Sequence, residues 1–150
     1  MIFDGDYTMT IAGQPAVSDK TLPVINPATE QVIAQVPDAS RAQLDAAVDA
    51  ARAAFPAWSA RPMAERQALV AAIGDGLLAN KDAFSALLTA EQGRPRAGCD
   101  WEVATCVDWC RAVSTFTMPV EVREEAGRRV EIRHTPRGAV GAIPPWTAPI

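Results

Sequence analysis

Apolar residues recur at helical spacing between residues 40 and 80 and predict two helices there. The first begins after Ser40, which forms a capping box with Gln43, and we expect Pro56 to end it. The second begins near Pro62, ends near Asn80 and is weakened by Gly74 and Gly76. Its predicted buried stripe consists of Leu69, Val70, Ile73 and Leu77.

The same spacing predicts two further helices before residue 119. The third carries Phe84, Leu87 and Leu88, and it ends at Gly93, a residue type common just past a helix C-terminus. The fourth runs from about residue 97 to residue 117, before Pro119. Its predicted apolar face consists of Val103, Cys106, Val107, Cys110 and Val113.

Shorter stretches have the alternation of apolar and polar residues that is typical of strands. We predict a short strand over residues 7–11 with a turn over 12–14, then a hairpin of residues 22–25 and 32–36 around the turn that starts at Asn26. Pro23 and Pro37 cannot donate ladder hydrogen bonds, so this hairpin is expected at a sheet edge.

A second strand pair is predicted near the C-terminus, where residues 120–123 and 130–135 alternate around a turn at Gly127. The uncharged run 139–143 that follows is typical of a strand buried on both faces of a parallel α/β sheet.

Charge and composition exclude several classes of protein. The net charge is -4, and the arginines between residues 123 and 137 alternate with glutamates, which indicates a solvated strand face rather than a nucleic-acid-binding surface. No run approaches the roughly 20 apolar residues that span a bilayer. Residues 1–6 are acidic where a signal peptide is basic. We therefore expect a cytoplasmic protein of one domain that contacts neither nucleic acid nor membrane.

The three cysteines, Cys99, Cys106 and Cys110, lie on the predicted fourth helix. They lack the second ligand pair of a structural zinc site, so we interpret them as buried, reduced thiols and expect no metal. Arg94 and Arg96 could activate Cys99 as a nucleophile, but Asp100 and Glu102 oppose this effect. The single histidine, His134, is expected to be structural or exposed.

The last residues combine Trp146 with Pro144, Pro145 and Pro149 directly after the predicted buried strand. Ligands of open α/β sheets bind at the carboxyl ends of strands, so this loop could face a cofactor. A simple proline-rich connector explains the spacing equally well.

The stretch from Gly138 to Pro149 resembles the G-V-x-G-x-I-x-P-W-N-x-P motif of the aldehyde dehydrogenase superfamily. Four earlier stretches resemble the same family in the same order. Residues 24–34 resemble its N-P-A-T-G-E hairpin, and residues 46–58 resemble the helix after it. Residues 65–66 resemble the start of its next helix, and residues 91–95 resemble its E-x-G-K/R-P turn.

The resemblance implies an α/β, Rossmann-like cofactor domain. Residues 1–118 would form its N-terminal strands and helical layer, residues 119–136 an oligomerisation flap, and residues 137–150 the first sheet strand and a cofactor-site loop. The catalytic domain would be absent. In the full-length form, the flap would join copies into a homo-oligomer.

The resemblance also implies oxidation of an aldehyde to a carboxylic acid with NAD or NADP. In the family a cysteine attacks the aldehyde and a glutamate activates water, and neither residue has a counterpart here. Ile143, Pro144, Pro145 and Trp146 match cofactor-lining positions. Thr147 stands where the family has an asparagine that donates to the oxyanion, and Ala148 replaces the usual aromatic residue.

Two hypotheses about the molecule follow. The chain would be the front part of such an enzyme, inactive alone and poorly folded at its C-terminal end. Alternatively, it would be a non-catalytic interaction module that pairs with a full-length relative.

Overall fold

The computed structural model describes residues 7–150. The described part of the chain contains three antiparallel hairpins, each a separate two-stranded sheet, and four helices between the second and third hairpins. The acidic segment 1–6, on which the expectation about a signal peptide rests, lies outside the described residues. The strands are β1 (Met9–Ile11), β2 (Gln14–Ala16), β3 (Thr21–Ile25), β4 (Val32–Pro37), β5 (Glu121–Glu125) and β6 (Arg128–Ile132). The helices are α1 (Arg41–Ala60), α2 (Met63–Ala79), α3 (Lys81–Gln92) and α4 (Arg96–Val113).

The two N-terminal hairpins form where the sequence predicts turns. β1 pairs with β2 in the register Met9 to Ala16, so Gln14, expected to belong to the turn, begins a strand of its own. β3 pairs with β4, and the Asn26 side chain accepts a hydrogen bond from the Ala28 amide at 2.9 Å inside the predicted turn. The expected larger sheet, at whose edge this hairpin would lie, does not form among residues 7–150.

The start of α1 is confirmed and its predicted end is wrong. Ser40 Oγ accepts from the Gln43 amide at 3.2 Å, and Gln43 Oε1 accepts from the Ser40 amide at 2.9 Å, which completes the capping box. The helix continues through Pro56 to Ala60. Proline removes one hydrogen bond, to the carbonyl of Arg52. Both residues are exposed, so water can hydrate that carbonyl and one more turn forms.

The buried face of α2 differs from the predicted stripe. Leu69 and Ile73 are 43% and 60% exposed, Val70 and Leu77 are half-buried as predicted in part, and the buried residue of this helix is Gly74. A β-carbon added at Gly74 would lie 2.9 Å from Cys110 Cβ on α4. The glycine therefore lets the two helices approach closely, and the contact face is rotated away from Ile73.

The best-buried residues lie between α3 and α4. Leu88, Cys99 and Val103 form the core, and Phe84 and Ile150 pack against it. α3 ends at Gly93 as predicted. α4 ends at Val113 instead of residue 117, because residues 114–116 fold into tighter turns. Val113, predicted to be buried, is 40% exposed.

The β5–β6 hairpin confirms the second predicted strand pair and its turn at Gly127. Every residue in both strands is exposed. Arg123 pairs with Glu121 at 2.7 Å, and Arg129 pairs with Glu131 at 3.0 Å, as expected for a solvated surface. β6 ends at Ile132, so His134 lies in an exposed segment after the strand.

The predicted buried strand over residues 139–143 is not observed. This segment has no regular secondary structure, and Val140 and Ile143 are 80% and 97% exposed. A strand of this kind is stable only between neighbouring strands, and none pairs with it within residues 7–150.

A cleft of about 460 Å³ lies between α1 and the start of this segment, and it is lined by Arg137, Gly138, Ala139 and three α1 residues. No helix in the described range is long and apolar enough to span a bilayer.

Candidate functional site

The candidate site is the loop of residues 143–150, which folds back onto the end of α3 and onto α4. A turn at Trp146 and Thr147 is closed by a 3.1 Å hydrogen bond from the Ala148 amide to the Pro145 carbonyl. The predicted site residues Ile143, Pro144, Pro145, Trp146 and Thr147 are all exposed, Trp146 to 67%. These five consecutive residues therefore lie on one exposed loop.

Three side chains hold the main chain of this loop. Gln92 Nε2 donates to the Trp146 carbonyl, and Arg94 Nη1 lies 3.4 Å from the Thr147 carbonyl. Glu102 Oε1 accepts a hydrogen bond from the Ile150 amide at 3.2 Å. We refer to Gln92, Arg94 and Glu102 as the loop anchor. All three interactions are with backbone atoms of the loop, so they fix its path without using its side chains.

An ion pair between Arg94 and Glu102 forms the centre of the loop anchor. Arg94 Nη1 donates to Glu102 Oε2, and Glu102 is only 4% exposed. A buried carboxylate needs such a partner, because an unpaired buried charge costs several kcal/mol. Gly98 provides the space, since a β-carbon at this position would lie 2.9 Å from Arg94 Nε.

The cysteines occupy different environments on α4. Cys99 is fully buried in the core and lies 3.4 Å from the Thr89 hydroxyl, as expected for a thiol that packs as a small apolar residue. Cys106 Sγ donates to the Ile150 backbone oxygen at 3.0 Å. Burial, followed by the negative charge of Glu102 and by Cys110, raises the pKa of the Cys106 thiol. This shift opposes the thiolate form that a nucleophile requires.

All three cysteines are free, and no three His, Cys, Asp or Glu side chains of the described chain are grouped to hold a metal ion.

Sequence reasoning named Arg94 and Glu102 only as charges near Cys99, and it missed Gln92 and the contacts with the loop. One signal was available for Glu102. It follows Cys99 by three residues and precedes Cys106 by four, so it lies on the buried face of α4. A carboxylate on a buried helix face indicates a nearby cation. The backbone groups that these side chains contact belong to Trp146, Thr147 and Ile150, which lie 48 to 54 residues away in the sequence. No local sequence pattern indicates such contacts.

The exposed loop presents apolar and hydroxyl groups but no cation. Ile143, Pro144, Pro145 and Trp146 are consecutive exposed residues with apolar side chains, a residue type that can pack against a flat ring. The Thr147 hydroxyl can donate one hydrogen bond to an oxygen atom of a bound molecule.

Comparison with known proteins gives a consistent result. The sequence profile of the aldehyde dehydrogenase family matches residues 14–150. The 3,6-anhydro-alpha-L-galactose dehydrogenase of Streptomyces coelicolor is 36% identical over 136 residues, which are 89% of this chain and 28% of that protein. The succinate semialdehyde dehydrogenase of Acinetobacter baylyi is 31% identical over 145 residues, 93% of this chain and 30% of that protein.

Solved structures agree with the sequence comparison. The NAD-dependent benzaldehyde dehydrogenase of Corynebacterium glutamicum superposes with a TM-score of 0.74 at 28% identity, over 79% of this chain and 27% of that one. The chain spans less than a third of the length of each of these relatives.

Proposed function

The chain belongs to the aldehyde dehydrogenase family, and we propose that it supplies the cofactor-facing loop of an enzyme that oxidises an aldehyde to a carboxylic acid with NAD or NADP. The observation that carries this proposal is the family match across residues 14–150, which includes the anchored loop.

Ile143, Pro144, Pro145 and Trp146 would contact the cofactor. Their exposed apolar surface fits a nicotinamide or adenine ring, and Ile143, at 97% exposure, has most of its surface available for such a contact. A bound nicotinamide supplies an acceptor for the electron pair that leaves the aldehyde carbon. The loop residues would orient that ring and exclude water from one of its faces.

Thr147 would act on the aldehyde oxygen. When a nucleophile adds to a carbonyl, negative charge develops on the oxygen, and a positioned donor lowers that barrier by about 3 kcal/mol. A threonine hydroxyl offers one such donor, but it is closer to the backbone than the amide of an asparagine. We therefore propose a weaker oxyanion contact than the resemblance to P-W-N alone would imply.

Cys99 and Cys106 would not be the nucleophile. Cys99 has no exposed surface, and the raised pKa of Cys106 keeps its thiol protonated. We propose that the attacking cysteine and the water-activating glutamate belong to a catalytic domain that these 150 residues do not include. Residues 1–118 would then be the N-terminal strands and helical layer of the cofactor domain, and residues 119–136 the oligomerisation flap.

A second candidate function is an interaction module that pairs with a full-length relative. It is favoured by large apolar side chains on the surface of α4, where Trp101 and Trp109 are 65% and 63% exposed. Exposed surfaces of this kind are typical of interfaces.

A cofactor titration of the isolated chain tests the main proposal. Adding NAD or NADP should shift the amide resonances of Ile143, Trp146 and Thr147, and Trp146→Ala should weaken binding. Trp58→Ala, a substitution on α1, is the matched control and should leave binding unchanged. Shifts confined to other parts of the chain would contradict the assignment of the loop.

An activity assay of the same protein separates the two functions. We expect the chain alone to form no reduced cofactor with any aldehyde. Steady aldehyde oxidation by the purified chain would contradict the proposal that the nucleophile lies elsewhere. Failure to bind either cofactor, combined with stable association with a full-length relative, would favour the interaction module.

A further inference from the structure

We infer that the loop anchor positions the Trp146–Thr147 turn, with the Arg94–Glu102 pair as a positioning pair for the proposed oxyanion donor. The effect of this pair on catalysis rests on the proposed function, whereas its effect on the position of the turn rests on the contacts alone.

The contacts form a chain from a helix to the turn. Glu102 lies on α4 with its carboxylate buried, and its two oxygen atoms hold different partners: Oε2 binds Arg94 and Oε1 binds the Ile150 amide. Arg94 Nη1, which binds Glu102, also lies 3.4 Å from the Thr147 carbonyl. The Glu102 carboxylate therefore binds both the Arg94 guanidinium, which lies near the Thr147 carbonyl, and the Ile150 amide.

Two further contacts limit the movement of the loop. Gln92, the last residue of α3, donates to the Trp146 carbonyl, so the turn is held at consecutive residues. Cys106 Sγ donates to the Ile150 backbone oxygen at 3.0 Å, and Ile150 packs against the core. The backbone of residues 146, 147 and 150 is thus tied to α3, to α4 and to Arg94 between them.

The buried position of Glu102 suits a positioning role better than a surface ion pair would. Exposed pairs contribute little, since solvent screens them and the side chains move. Glu102 is 4% exposed, and Gly98 leaves the space that the Arg94 side chain occupies. Hydrogen bonds to a charged group in such a site are stronger than neutral ones and define geometry more closely.

Amide hydrogen exchange of the 150-residue chain tests the inference. Glu102→Gln keeps the size of the side chain but removes its charge. It should accelerate exchange about tenfold or more at the Ile150 amide, which bonds to Glu102 Oε1, and at the Ala148 amide, which closes the turn. This is the effect of losing a hydrogen bond to a charged group. Exchange in the middle of α2 and α3 should stay unchanged. Unaltered exchange at both loop amides would overturn the inference.

Variants of Arg94 distinguish positioning from general loss of structure. Arg94→Lys retains a cation beside Glu102 and should preserve part of the protection, whereas Arg94→Met should abolish it. Equal exchange in the two variants would contradict a role for the charge.

If Glu102→Gln also loosens α4, a variant outside the core still tests whether the loop anchor positions the turn. Gln92→Ala removes a donor at the end of α3 without removing a core side chain and should accelerate exchange at the Ala148 amide, which closes the turn. Gln67→Ala is its matched control, because Gln67 Nε2 makes the same kind of bond to the Phe116 carbonyl at 2.7 Å. Acceleration in the loop by Gln67→Ala, or none by Gln92→Ala, would overturn the inference. Since no cofactor is present, these results stand independently of whether the cofactor titration succeeds.

Discussion

Gly74 of α2 lies so close to Cys110 of α4 that a β-carbon added to the glycine would approach Cys110 Cβ to 2.9 Å. The nearest obstacle is the first carbon of a side chain, fixed to the backbone of α4. Relief of this contact would require the helices themselves to separate. Gly74 therefore sets the distance between α2 and α4.

Gly74→Ala should destabilise the protein, although alanine is the better helix former. The gain in helix propensity is about 1 kcal/mol, whereas overpacking costs about 1–3 kcal/mol. Gly76→Ala is the control, because its β-carbon would meet no atom within 4 Å. It should stabilise the protein by up to about 1 kcal/mol. Urea unfolding monitored by circular dichroism measures both changes, and a stabilising Gly74→Ala would contradict the close contact.

Gly93→Ala should destabilise the connection between α3 and the β3–β4 turn. Gly93 has a φ of 69°, and a β-carbon there would lie 2.8 Å from Pro27 Cγ. Gly127 also has a positive φ, 81°, but has open space around it. Gly127→Ala should cost only the backbone strain of about 1 kcal/mol, and Gly93→Ala should cost more. Equal losses of unfolding free energy would show that Pro27 moves away freely.

Ser40→Ala should lower the free energy of unfolding by about 1 kcal/mol, the usual effect of losing a side-chain N-cap. Ser40 Oγ accepts from the Gln43 amide at 3.2 Å at the start of α1. Ser59→Ala is a suitable comparison, because the Ser59 hydroxyl donates to the Pro56 carbonyl near the other end of the helix. If both substitutions had the same small effect, the capping box would contribute nothing measurable.

The Cys106 thiol should react with iodoacetamide more slowly than an unfolded cysteine at mildly alkaline pH. Its pKa is raised, chiefly by burial, so its rate should reach half-maximum at a higher pH than that of the urea-denatured chain. The raised pKa also means that folding favours the protonated form of the thiol. Stability should therefore decrease as pH rises past the ordinary thiol pKa of about 8.5 and through the raised value. Peptide mass spectrometry measures alkylation at Cys106, and a lower midpoint in the folded chain would contradict the shift.

Thr147→Asn should raise aldehyde oxidation in an active context. Such a context is a chimera in which residues 14–150 replace the matching segment of the Corynebacterium glutamicum benzaldehyde dehydrogenase. An amide reaches further than a threonine hydroxyl, so we expect kcat to increase about tenfold or more with little change in KM. Thr147→Val should lower kcat. If Thr147→Val had no effect, the hydroxyl would not contact the developing oxyanion.

Local sequence patterns predicted the elements well because their causes are local. The capping box at Ser40, the end of α3 at Gly93 and the turn at Gly127 each depend on residues within a few positions. The errors occurred where distant parts of the chain decide the outcome. Gly74 is buried because α4 crosses it, which no pattern within α2 reveals.

The predicted strand over residues 139–143 failed for a related reason. An apolar run of this kind is buried as a strand only when neighbouring strands pair with it. Residues 7–150 provide no such neighbour, so Ile143 is exposed. The candidate site was predicted on the loop of residues 143–147 by its resemblance to a motif. The residues that hold that loop come from α3 and α4, far away in sequence, and only the Glu102 charge on a buried helix face gave any indication of them.

The loop anchor binds the backbone of residues 146, 147 and 150, and backbone atoms are the same whichever side chain each residue carries. Mutation can therefore change the chemistry of the turn while its location is preserved. Thr147 and Ala148, which both differ from the residues usual in the family, lie within this turn. Such an arrangement separates where the turn lies from which side chains it carries.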